Sequence, residues 1–155
     1  MTVVAIHLGG RDTVELRAVQ SVRALAGRGL DGDRHFRSAG AKPGQALTLV
    51  EEEVVADVGL PPGGTRRQVT VRGVRLNELV GKRFLVGEVE CYGVELCEPC
   101  LHLQQLTRPG IIEDLLHRAG INADIVTDGT ISVGDELREL SADGGDGAAD
   151  RTQRR

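Results

Sequence analysis

Glycine interrupts this chain at 21 of its 155 positions, and that punctuation constrains the fold more than any other feature. Each glycine permits a turn that other residues reach only with strain, so the apolar segments between them stay short. Short apolar segments with frequent turns suit strands joined by tight connections rather than long helices. Phe36, Phe84 and Tyr92 are the only aromatic residues. The core must therefore be built from Val, Leu, Ile and Ala. The length allows one domain with a real core and is too short for two ordinary ones.

Thr2 to Leu8 reads as a first strand, ended by Gly9-Gly10. Glu15 to Ala26 alternates apolar positions (Leu16, Ala18, Val22, Ala24) and makes one long strand or two. Gly27 to Gly44 has no periodicity and reads as a long loop, a place where function concentrates. Ala46 to Val50 is a strand; Glu51-Glu52-Glu53 then opens a short helix that Gly59 and Pro61 terminate. After a second loop, Pro61 to Thr65, come a strand at Arg67 to Val71 and a short helix at Arg75 to Val80 before Gly81. Arg83 to Val86 and Val89 to Leu96 form a strand pair around Gly87. Helical pattern returns from Pro99 to about Leu106 and from Ile111 to Ala119. Asn122 to Thr127, Ile131-Ser132 and Glu136 to Leu140 close the domain, with Asp128-Gly129 as a hairpin turn signal. Ser141 to Arg155 has almost nothing to bury and is expected to be disordered, leaving 1–140 as the domain. The expected class is mostly β within α+β: a β-barrel-like domain with a few short inserted helices.

The net charge of −4 and pI of about 5.6 argue against a nucleic-acid partner, and the scarcity of stacking aromatics adds to that. Residues 1–10 do not read as a secretory leader, and no apolar run reaches membrane-spanning length. Three cysteines, an odd count, fit a reducing cytoplasm better than a disulfide framework.

Chemistry concentrates in Leu96-Cys97-Glu98-Pro99-Cys100-Leu101-His102-Leu103. Proline suits the first turn of a helix, so the preceding strand is expected to end here and a helix to begin at Pro99. A thiol in that first turn lies at the positive end of the macrodipole, which favours thiolate. A sulfur nucleophile, a sulfur carrier or a soft-metal ligand would be put there. Three other readings stay open. The cysteines are small hydrophobes that belong in a core. Cys91, Cys97, Cys100 and His102 together offer four zinc ligands, although structural zinc normally pairs two knuckles far apart in sequence. Cys97 and Cys100 also have the form of a thioredoxin-like dithiol, although that fold places the motif after an early buried strand.

Gly29-Leu30-Asp31-Gly32-Asp33-Arg34-His35 is the second feature. Gly32 can take a positive φ, and Asp33 can bond nearby backbone N–H groups to make a rigid turn. Arg34 and His35 would then face one way, the arginine offering a planar fork to a phosphate or carboxylate. Arg66-Arg67-Gln68 adds cationic donors. His117-Arg118 suits a helix C-terminus, and His7 reads as structural.

These segments stand in a familiar order. The Gly29–His35 run is followed by Arg66-Arg67-Gln68-Val69-Thr70-Val71 and by Leu76-Asn77-Glu78-Leu79-Val80-Gly81-Lys82-Arg83-Phe84. Cys97-Glu98-Pro99-Cys100 and Gly129-Thr130-Ile131-Ser132-Val133-Gly134-Asp135 complete the set. Over roughly Val3 to Leu140 the chain resembles the MOSC domain, the C-terminal domain of molybdenum-cofactor sulfurases, in its small stand-alone bacterial form. The resemblance implies a β-barrel and the handling of molybdenum cofactor, a pterin dithiolene bearing a phosphate. It implies that Cys100, the second cysteine of the motif, carries sulfur as a persulfide or ligates molybdenum. Asp33 would shape the loop, and Arg34, His35 and Arg67 would hold the anionic cofactor. Gln68 stands where the family usually has Asn, and its longer amide shifts the hydrogen bonds. Cys97, Gly32 and His102 would support the site. The implied partners are the cofactor and either a cysteine desulfurase or a molybdoenzyme. Larger relatives carry a further β-barrel or a pyridoxal-phosphate desulfurase domain, and neither is expected in these 155 residues. A binding or carrier role is expected, with turnover as a sulfurtransferase or N-oxide reductase left open. The rivals are a zinc-binding or thiol-redox module with a structural CxxC, and an interaction domain without chemistry.

Overall fold

The period-two pattern of the first strand slips by one residue at a bulge between Val3 and Ala5. That slip is why Val3, Ile6 and Leu8 all reach the core although they are not evenly spaced. The computed structural model describes residues 1–10 and 13–140; the tail expected to be disordered lies outside them. In chain order the elements are β1 (Thr2–Gly9), β2 (Leu16–Val19), β3 (Ser21–Leu25), β4 (Gly29–Leu30), β5 (Leu47–Glu51), α1 (Glu52–Asp57) and β6 (Val69–Arg72). A 3-10 turn at Leu76–Leu79 leads to β7 (Arg83–Val86), β8 (Val89–Leu96), α2 (Leu101–Leu106), α3 (Ile111–Leu115), β9 (Ile121–Ile125), β10 (Gly129–Ser132) and β11 (Leu137–Glu139).

Eight strands form one sheet in the order β11-β7-β8-β9-β5-β6-β1-β2, and β10-β3-β4 form a second. Among the described strands every pairing is antiparallel except β5 with β6, whose crossover is α1 and the Pro61–Thr65 loop. The large sheet curls far enough for β11, at one end, to meet the start of β1, next to the other end. Thr2 bridges Glu136, Val3 N donates to the Asp135 carbonyl at 2.8 Å and Leu137 N to that of Met1 at 2.9 Å. Closing a sheet on itself shields its edges and encloses a core. That core is aliphatic, as the composition requires, with Phe84 its one fully buried aromatic among the described residues. The class is mostly β with short inserted helices, as expected.

The helices bury their own apolar side chains in a second, smaller cluster outside the barrel. Val54 and Val58 meet Leu103, Ile111, Leu115 and Ala119 there. No helix among the described residues is long and apolar enough to cross a membrane.

Of the two alternatives for Glu15 to Ala26, the structure takes two strands, one in each sheet. Other local expectations are corrected. Asp128-Gly129 is no hairpin turn: β9 belongs to the large sheet and β10 to the small one. Asp128 instead accepts a hydrogen bond from Ala26 N at 2.7 Å, tying the two sheets. The helix expected from Pro99 begins at Leu101. The next ends at Leu115 rather than Ala119, and His117 just beyond takes a φ of 65°.

Candidate functional site

Asp33 is buried, and its carboxylate is consumed by the protein. Oδ1 accepts from Gly9 N at 2.9 Å, and Oδ2 from His35 N at 3.0 Å and from Gln68 Nε2 at 2.7 Å. Gly32 beside it has a φ of 86°, the positive value expected, so the chain can reverse before the carboxylate. Gln68 is equally committed. Its Oε1 accepts from Thr48 N at 2.9 Å, and its own N donates to Thr48 Oγ1 at 2.9 Å. Asp33 and Gln68 thus join the loop to β1, β5 and the start of β6. A buried carboxylate with three N–H donors is well satisfied.

Arg34 and His35 leave this anchored turn as a pair, with Arg34 Nε 3.3 Å from His35 Nε2. Arg37, which the sequence reading did not single out, folds back to donate to the Arg34 and Phe36 carbonyls at 2.9 and 3.1 Å. Desolvation holds the His35 imidazole below its ordinary value, and the charges of Arg34, Arg37 and Arg66 act the same way against the pull of Asp33. Arg34 and Arg37 beside His35 make a local field that favours an anion. Beside it lies a cleft of about 360 Å³, lined among others by His35, Arg37, Thr48, Gln68, Glu95 and Asn122. Glu95 lies two residues before Cys97.

Arg67 does not point a bare fork at that cleft. Its Nε donates to the Ala119 carbonyl at 2.9 Å and its Nη2 to the Cys97 carbonyl at 2.9 Å. Longer contacts of 3.4 Å reach the Thr65 and Glu98 carbonyls. The guanidinium therefore staples the cysteine segment to the turn before β9. Cys97 N donates to the Gly120 carbonyl at 2.8 Å. Gly120 has a φ of 104°, and a Cβ there would collide with the Leu49 carbonyl. No other residue fits that point, so the seat of Cys97 depends on a glycine.

The two motif thiols differ in kind. Cys97 is partly buried, and Cys100 is exposed. Desolvation pushes the Cys97 thiol up, only partly offset by the Arg67 guanidinium. Cys100 is not in a first helical turn. It is the N-cap of α2, in extended backbone with φ −129° and ψ 168°, and its carbonyl accepts from Gln104 N at 3.1 Å. Glu98, between them, accepts from His117 N at 2.7 Å and pairs with His117 Nδ1 at 2.5 Å. That latch was not legible, because its partners lie 19 residues apart. Arg118 behaves as a helix-end cation, donating to the Asp114 carbonyl at 2.8 Å and pairing with Asp57 at 2.9 Å.

The four-ligand zinc set does not assemble. Cys91 is fully buried in the barrel core, opposite Phe84 and Ile125, and desolvation pushes its thiol far up. His102 is exposed on α2. Among the described residues no three His, Cys, Asp or Glu side chains gather where they could hold a metal.

Comparison with known proteins gives a consistent answer. No curated protein matches the sequence. Among solved structures, the chain is similar to the YUAD protein from Bacillus subtilis. That pair has a TM-score of 0.71 at 18% identity, covering 91% of this chain and 98% of that one. It is also similar to YiiM from Geobacillus stearothermophilus, with a TM-score of 0.68 at 17% identity and coverage of 93% and 77%. YiiM from Escherichia coli gives 0.65 at 18% identity, with coverage of 91% and 70%. At such identities these likenesses speak for the fold. The MOSC domain family model matches residues 38–138, a span that holds Arg67, Gln68, Cys97 and Cys100 and begins just after the Asp33–His35 turn. With the family's span covering most of the barrel and the cysteine motif, this chain belongs to the MOSC domain family.

Proposed function

We propose that this protein binds molybdenum cofactor, or carries sulfur to it, through Cys100. The family is associated with that cofactor. The observation that carries the reading is the asymmetry of the thiol pair: Cys100 is exposed at the N-cap of α2, beside a half-buried Cys97 whose carbonyl Arg67 clamps. A sulfur that must meet a ligand has to be reachable, and its neighbourhood has to be rigid.

The donor set fits the group. Arg34 lies 3.3 Å from His35, and Arg37 shares the cleft wall with it, an arrangement suited to a phosphate. Asp33 is spent on three N–H groups, and Glu95, on the wall of the cleft, accepts from Asn122 Nδ2 at 3.3 Å. When bound, the cofactor supplies a soft metal for which a thiolate is a suitable ligand. Arg34 and His35 would bind and orient its anionic end. Arg67 acts at one remove, holding the cysteine backbone in place. In the carrier form, the Cys100 thiolate attacks the outer sulfur of a donor persulfide. A new S–S bond forms at Cys100 as the donor's S–S bond breaks and its thiolate leaves. A desulfurase is the natural donor and a molybdoenzyme the natural recipient. Such chemistry belongs to the cytoplasm.

The test is elemental and pterin analysis of protein produced with the cofactor pathway active. Molybdenum together with a phosphate-bearing pterin in the wild type, lost in Cys100→Ala, is expected for the binding form. Stoichiometric zinc in both proteins would overturn the reading in favour of a structural CxxC.

A further inference from the structure

A second cavity, of about 520 Å³, opens on the β1–β2 side of the sheet. Its walls are apolar, from Leu16, Ala18, Pro61, Pro62 and Leu106, and its polar members include His7 and Arg66. No cysteine lines it. The volume is that of a small-molecule site, and a mostly apolar lining with a few placed polar groups is how such sites are built.

Three observations point to a ligand rather than an idle crevice. His7 is only 9% exposed, and its Nδ1 has no hydrogen-bond partner among the described residues. Buried polar atoms are nearly always paired, so an orphan needs an explanation. Arg66 sits at φ 64°, a left-handed conformation that side chains other than glycine and asparagine rarely adopt, and strain of this kind gathers at ligand sites. Its Nη1 donates to the Val14 carbonyl at 2.6 Å, which fixes the guanidinium. Arg34 is near enough to act on Arg66 as a like charge, alongside desolvation. An anion on Arg66, in the cavity wall, would relieve that repulsion.

We propose that this cavity binds a small organic carboxylate with a flat apolar body, its carboxylate on Arg66 and its body against Leu16, Ala18 and Leu106. Arginine presents two parallel N–H groups that match a carboxylate, and the apolar walls select against a bare inorganic anion.

The test is a titration of the ¹⁵N-labelled full chain, followed by amide chemical shifts. The probes are sodium benzoate, benzyl alcohol as its neutral counterpart, and inorganic phosphate. Benzoate should shift the amides of Leu16, Gly63, Gly64 and Thr107 saturably and leave Gly44 and Gln45 in place. Arg66→Asn tolerates the left-handed backbone and removes the charge, and it should weaken benzoate about tenfold or more. Ala18→Phe, at an exposed position, should block the cavity with Arg66 intact. The proposal is overturned by no saturable benzoate shift, by benzyl alcohol binding as well, or by equal binding in Arg66→Asn. Phosphate shifting the same amides with equal affinity would overturn it too. The cysteines take no part, so this result is independent of the molybdenum reading.

Discussion

The guanidinium of Arg67 donates to the carbonyl oxygen of Cys97 at 2.9 Å, and that bond organises the cysteine end of the site. The same side chain reaches Ala119, so one residue ties the CxxC segment to the strand that seats it. Arg67→Lys cannot reproduce two divergent N–H bonds from a planar fork. Both Arg67→Ala and Arg67→Lys should lose about 1–3 kcal/mol, measured by urea unfolding. In each, hydrogen exchange at the Cys97 amide should quicken. Slow exchange in either variant would show that the clamp is dispensable.

Asp33 offers a second test. Replacing it by Ala leaves N–H groups of Gly9, His35 and Gln68 without their acceptor, at a cost of about 3 kcal/mol. Gln68→Asn should be milder. It keeps an amide but shortens the reach, so the bonds to Thr48 and Asp33 cannot both be kept at full strength. Urea midpoints of the two variants check the order.

The three thiols should react in sequence. Iodoacetamide followed by peptide mass mapping should modify Cys100 first. Cys97, whose thiol desolvation pushes up, should follow slowly. Cys91, buried in the core, should react only on unfolding. Equal rates at Cys97 and Cys100 would remove the asymmetry on which the functional reading stands.

His7 predicts a pH dependence. Burial holds its pKa below the ordinary 6.5, so below that value the unfolded chain binds the proton more readily. Stability therefore rises with pH through the window under 6.5 and is complete above it. His7→Phe should flatten the slope between pH 5 and 7 in part, since His35 is displaced the same way. Urea midpoints across that range measure it. An unchanged slope would mean that His7 takes its proton freely in the folded state.

Much of the architecture was legible because glycine and period-two patterning act locally. β1, β7 and β8 stand within a residue of where the runs bounded by glycine put them, and the aliphatic core followed from the lack of aromatics. The failures were non-local. Asp128-Gly129 has hairpin chemistry, yet the flanking strands join different sheets, which no local signal records. Pro99 promised a helix start, but Cys100 is extended and the helix waits until Leu101. Arg67 and Gln68 were visible as donors, and their partners were not. An arginine that staples carbonyls across 52 and 30 residues reads in sequence like one that awaits an anion. Arg37 was passed over, and the pairing of Glu98 with His117 was missed, for the same reason.

The most direct measurement is intact mass after exposure to a persulfide donor, comparing wild type with Cys97→Ala and Cys100→Ala. A gain of about 32 Da, one sulfur atom held as a persulfide, should appear in the wild type and in Cys97→Ala and be absent from Cys100→Ala. A gain that survives in Cys100→Ala and vanishes in Cys97→Ala would contradict the assignment of Cys100 as the working thiol.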